Sequence, residues 1–214
     1  MTPVSSTRAT VLGDLIGSRL SADRRGLHER LTAALTHVNQ EIVTDQPLAV
    51  IAGDEVQGTY AGVGDALGAV FLLRSLLSPG TDLRFGIGRG DVTVLDAETG
   101  IQDGPGWWAA RQAIEEVEAG QQVTGQATWR TAYREHEPDH GTEQAVNAAL
   151  VCQDLVLGSL DQTGWTIVRG MMQERTHASI AEELGISRQA VQQRRKSAGL
   201  PMLLASISAL RSLP

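Results

Sequence analysis

Apolar residues recur along the chain in two rhythms. Around Val11 the segment RATVLGDLIG is a short apolar run closed by Gly and Asp, which predicts a buried strand. From Ala22 to Ile42 the spacing becomes helical, with Leu27, Leu31, Ala34, Leu35, Val38 and Ile42 three or four apart and Ser21 as the expected N-cap. Pro47 interrupts the pattern. LAVIA (48–52) predicts a second strand, and Gly53-Asp54 in GDEVQGTYAG turns the chain into its partner. Asp65 to Leu77 predicts a helix ended by Ser78-Pro79-Gly80. LRFGIGRGDVTVL (83–95) has strand character, and its glycines point to a bulge or the close approach of another group. Gly104-Pro105-Gly106 opens a helix from about Trp107 to Glu118, and residues 121–135 fit neither rhythm.

EHEPDHGTE (135–143) is polar, contains Pro and Gly, and reads as a linker. Beyond it the segments Gln144–Leu160, Trp165–Gln173, His177–Leu184, Arg188–Ser197 and Pro201–Leu213 all have helical spacing. Strands and helices alternate before the linker and only helices follow it. The expected architecture is therefore α+β: a mixed domain over 1–138, then a small all-α domain over 139–214.

Charge divides at almost the same place. Residues 1–164 hold 11 Arg and 22 Asp+Glu, a net of −11, whereas residues 165–214 hold 7 basic and 3 acidic groups, a net of +4. The first part repels a phosphate backbone and the second attracts one. The start, MTPVSSTRAT, has no apolar signal core, and no run approaches the roughly 18 apolar residues of a membrane span. The single cysteine, Cys152, excludes an internal disulfide framework. The expected location is the cytoplasm, away from membranes.

The basic part contains RTHASIAEELGISRQAVQQRRKSAGL. Ala181 is small where two helices would approach, Gly185 supplies a turn, and Val191 points back between the helices, with Ile180, Leu184 and Ile186 completing a small core. Ser187 is placed to cap the second helix. This pattern predicts a helix-turn-helix over about 177–198. The first residues of its second helix would enter a major groove. Ser187, Arg188, Gln189 and Gln192 are the expected base contacts of double-stranded DNA, and Arg194, Arg195 and Lys196 the expected phosphate contacts. The alternatives are a helical hairpin with a solvated basic end, and a protein-binding module.

In the acidic part, Asp14 ends the first strand and Asp54-Glu55 occupies the hairpin turn. Adjacent strands would bring these carboxylates together, and carboxylates at strand ends can hold Mg²⁺ or Mn²⁺ that bridges to phosphate. A Gly-Asp turn is equally an ordinary hairpin. VLGDLIGSR, GDEVQG, RFGIGRG and GPGWWAAR occur in this order, and the chain resembles the SatD family of bacterial proteins over nearly its whole length. The same segments are similar, more distantly, to class III nucleotidyl cyclases and the GGDEF-type palm. That resemblance implies a ferredoxin-like βαββαβ palm with Asp14 and Asp54 as metal ligands, Glu55 as a further one in the GGDEF manner, and Arg111 as the cyclase arginine of the transition state. The chain departs from the cyclase pattern at Val50, where cyclases carry a purine-recognising lysine, and at Trp107, where they carry an asparagine. Gly17, Arg19, Gln57, Arg84, Arg89 and Trp107 join Arg111 as candidate ligand contacts.

Two main readings follow. In one the chain is a homodimeric transcription regulator whose palm senses a nucleotide or cyclic nucleotide. In the other it is a metal-dependent nucleotidyl cyclase with an attached helix-turn-helix, a role that Val50 and Trp107 weaken.

Overall fold

A computed structural model describes residues 5–17, 23–137 and 140–214. Ser21, Arg19 and the 138–139 boundary lie outside the described residues. The protein is mixed α+β. Its elements are β1 (Ser5–Leu15), α1 (Arg24–Glu41), β2 (Gln46–Ala52), β3 (Glu55–Tyr60), α2 (Val63–Leu77), β4 (Leu83–Asp96), β5 (Ile101–Asp103), α3 (Pro105–Gln121), β6 (Thr131–Glu135), α4 (His140–Gly158), α5 (Gln162–Met172), α6 (His177–Leu184), α7 (Arg188–Ser197) and α8 (Leu200–Arg211).

The sheet runs β2-β3-β1-β4-β5, and β6 adds parallel to β4 along the same edge as β5. The first four strands with α1 and α2 give the βαββαβ order expected of a palm. β1 sits centrally and antiparallel to both neighbours, so its alternate residues serve two faces. Ala9, Val11 and Leu15 enter the core formed with Leu31, Leu35 and Val38 of α1 and Ala66, Val70 and Leu73 of α2. Leu12 turns the other way, against Ala110 and Ile114 of α3. Gly86 and Gly88 let α3 lie this close. A Cβ at 86 would stand 2.1 Å from the Ala110 carbonyl oxygen, and one at 88 would stand 2.2 Å from that of Gly106. The buried Thr10 hydroxyl donates to the Gly106 carbonyl at 2.8 Å and pins the start of α3 to β1.

α1 begins two residues later than the expected Ser21 cap implies. Asp23 is its N-cap, and its Oδ1 accepts from the Gly26 N–H at 2.8 Å. Both ends of the polar stretch 135–143 lie in regular elements, β6 and α4. Glu135 belongs to β6, and Glu143 is 7% exposed, accepting from the Arg134 guanidinium at 2.6 Å and the Glu135 N–H at 2.9 Å.

The following helices build a second cluster of Leu157, Trp165, Ile167, Val168, Ile180, Ala181, Val191, Leu200, Leu203 and Ile207. Phe71 of α2 is part of that cluster, and Val146 and Leu150 of α4 belong to the first. Two polar ties add to this sharing. Buried Arg74 of α2 pairs with buried Asp154 of α4, whose other oxygen accepts the N–H groups of Arg130 and Thr131 at 2.7 and 2.8 Å. Arg169 of α5 donates to the carbonyls of Ser75 and Ser78, where α2 ends, at 2.8 and 3.0 Å. The helical part is therefore docked on α2. No helix among the described residues is long and apolar enough to cross a membrane.

Candidate functional site

The strand register builds an ionic row at one end of the palm. Asp14 of β1 stands directly opposite Glu55 of β3 on one side and Arg84 of β4 on the other. Directly opposed residues share a sheet face, here the face that α3 covers. The Arg84 Nε donates to Asp14 Oδ1 at 2.7 Å, and its Nη1 reaches Glu118 of α3 at 3.1 Å and the Gln121 side-chain Oε1 at 3.4 Å. At the other end the Arg111 Nη2 donates to Glu55 at 2.9 Å. Asp54 sits half-buried in the two-residue turn between β2 and β3. The hydrogen bond to Asp14 pushes the Arg84 guanidinium further above its ordinary range, with burial opposing it and the charges of Asp14, Glu118 and Asp54 assisting.

Several sequence candidates thus meet: Asp14, Asp54, Glu55, Arg84 and Arg111 share this corner. Gln57 stands two residue pairs along, opposite Leu12 and on the same face. Trp107 lies one helical turn before Arg111 and packs on Leu12, Ala110 and Ile114, with its indole N–H buried and without a partner. Gly17 is exposed in the turn after β1 with a φ of 71°. Arg89 does not join them. It pairs with Ala9, five residues along β4 from Arg84 and on the opposite face, and lines a cavity of about 670 Å³ with Thr7, Tyr133 and His136. Glu118 and Gln121 are partners that sequence reasoning missed. The i, i+7 spacing from Arg111 to Glu118 on α3 was the available signal.

Two of the three carboxylates read as metal ligands are paired with arginines. Asp14 is engaged by Arg84 and Glu55 by Arg111. Among the described residues no cluster of three or more His, Cys, Asp or Glu could hold a metal ion.

The second candidate surface is α7. α6 ends at Gly185, whose φ of 65° turns the chain so that the Ile186 N–H reaches back to the Ala181 carbonyl at 3.1 Å. The Ser187 side chain caps α7, accepting from the Ala190 N–H at 3.1 Å. Val191 is the buried residue of α7, and Arg188, Gln189, Gln192, Gln193, Arg194 and Lys196 are exposed. The phosphate candidates differ among themselves. Arg194 pairs with exposed Asp161 at 2.8 Å, and Arg195 is half-buried with its Nε on the Met171 sulfur at 3.2 Å. Lys196 is exposed, and among the described residues it forms no ion pair.

A profile of the SatD family matches residues 9–213. The chain belongs to the SatD family. No curated protein matches it. Two structures of a bacterial light-regulated adenylyl cyclase are similar to this SatD-family chain at 14% and 12% identity, with TM-scores of 0.49 and 0.46. Each likeness covers 62% of this chain and 44% of that one, so the chain spans less than half the length of those proteins. The guanylyl cyclase domain of the RhoGC fusion protein from the aquatic fungus Blastocladiella emersonii is 11% identical with a TM-score of 0.44, over 54% of this chain and 78% of that one.

Proposed function

We propose that this SatD-family protein is a DNA-binding transcription regulator that works as a homodimer, with α6 and α7 as a helix-turn-helix and the palm as a sensor of a nucleotide or second messenger. One observation carries the reading. α7 rests on the protein through Val191 and turns Arg188, Gln189, Gln192 and Lys196 to solvent. Amide and guanidinium groups near the start of such a helix match the acceptor and donor edges of bases, and a cation further along suits a phosphate. The net charge of +4 over residues 165–214 favours approach to a duplex. A dimer would supply two reading helices for two half-sites. For the palm, Gln57, Trp107 and Arg111 gather at the corner where a ligand would act, and a ligand shifts the dimer only by preferring one of its geometries.

The test is duplex binding by the full chain, with DNA from its own promoter and a scrambled duplex, at several salt concentrations. Arg188→Ala should narrow the difference between the two duplexes. Lys196→Ala should weaken both alike and flatten the salt dependence by about one unit of slope. Failure to bind any duplex at low salt would overturn the reading.

The enzyme reading draws on Asp14, Asp54, Glu55 and Arg111 sharing one corner, but two of those carboxylates already hold arginines. It is checked by incubating the protein with nucleoside triphosphates and Mn²⁺. A cyclic product abolished by Asp14→Ala would establish it.

A further inference from the structure

The ionic row is laid down by strand pairing itself. Asp14, Glu55 and Arg84 occupy matched positions on three neighbouring strands, which puts their side chains side by side on one face. Arg84 is also braced from two elements: one edge of its guanidinium meets Asp14 of β1, and the other meets Glu118 of α3. At 17% side-chain exposure it is not a loose surface arginine. Its charge is permanent at any accessible pH. Across the row the signs run Arg111, Glu55, Asp14, Arg84, Glu118, so each of the two central carboxylates has a cation against it.

A divalent ion entering here faces two costs. Mg²⁺ and Mn²⁺ need carboxylate oxygens arranged around the ion with waters completing the shell. The Asp14 oxygen at 2.7 Å from Arg84 is committed, and any ion near it would lie against a like charge. Displacing the guanidinium breaks charge-assisted hydrogen bonds on both of its edges.

We infer that the Arg84 guanidinium takes the place of a divalent cation on Asp14, so that the palm by itself excludes Mg²⁺ and Mn²⁺ from Asp14 and Glu55. The acidic corner is a closed ionic lattice with an arginine as its resident cation. This holds whether or not α7 reads DNA.

The test titrates Mn²⁺ against the full chain and follows the electron paramagnetic resonance signal of free Mn²⁺. The wild type should leave that signal undiminished up to about 1 mM, the weak limit of oxygen-ligand sites. Arg84→Gln should take up one Mn²⁺ at least about tenfold more tightly, because the competing charge is gone. Adding Asp14→Asn to Arg84→Gln should abolish the gain. Arg84→Lys keeps a point charge without the two-sided fork and should show intermediate uptake, which preserves the test if the glutamine variant folds poorly. Tight uptake by the wild type that Asp14→Asn removes would overturn the inference. So would a folded Arg84→Gln protein with no gain over the wild type.

Discussion

In the palm, Arg84 and Arg111 each meet a carboxylate from a neighbouring strand, and the row closes on itself. On α7, Arg188 and Lys196 extend into solvent, and among the described residues neither forms an ion pair. The two regions use similar cations for different ends. Paired charges in the palm hold α3 against the sheet. Unpaired charges on α7 contribute little to folding and stay available to a polyanion. A dense ionic cluster is thus weaker evidence of a binding site than a sparse set of unopposed cations on a well-anchored helix.

The largest expected effect comes from cutting the tie between the regions. Asp154→Ala leaves Arg74 buried without its partner and removes the acceptor of two backbone N–H groups. It should cost about 3–5 kcal/mol of stability, read by denaturant unfolding. A cost below about 1 kcal/mol would mean that the helical part rests on the palm without help from this pair. Next, Arg188→Ala should remove about 1–3 kcal/mol of discrimination between promoter and scrambled duplex, whereas Arg111→Ala should leave DNA binding unchanged. Equal loss in both variants would erase the contrast between paired and unpaired arginines.

Gly185→Ala tests the turn that aims α7. A φ of 65° strains any residue with a Cβ, so the melting temperature should fall by the equivalent of about 1–2 kcal/mol. The smallest effect is expected at Asp161, which caps α5 and also neutralises Arg194. The Gly164 N–H it accepts, and then Arg194, hold its carboxyl below the ordinary aspartate range. A depressed value stabilises the fold above the unfolded value, and that stabilisation is lost as pH falls through the folded one. The melting deficit of Asp161→Ala should therefore be present at neutral pH and shrink below about pH 4. The same variant frees Arg194 and should tighten DNA binding slightly at low salt. Unchanged binding would place Arg194 away from phosphate.

Much of the fold was legible where local chemistry decides. α6 ends and α7 begins where Gly185 and Ser187 say they should, because a left-handed turn and a cap are written in single residues. The β2–β3 hairpin follows Gly53-Asp54 for the same reason. β5 and β6 were not legible. Ile101–Asp103 is too short to show a rhythm, and Thr131–Glu135 becomes a strand because α3 crosses over and returns it beside β4. Polarity made 135–143 read as a linker, yet Glu143 is buried by the groups it binds. At the candidate site the residue types were readable and their pairing was not. Asp14 with Arg84, and Glu55 with Arg111, follow from a strand register and a helix position that one sequence does not display.

Phe71 sits in the cluster beneath α6 and α7 although it belongs to α2 of the palm. An excised piece starting at α4 would leave that seat vacant and carry Asp154 without its arginine. The helical part is therefore not detachable cargo. In the proposed twofold assembly, the distance between the two copies of α7 would be dictated by how the palms meet.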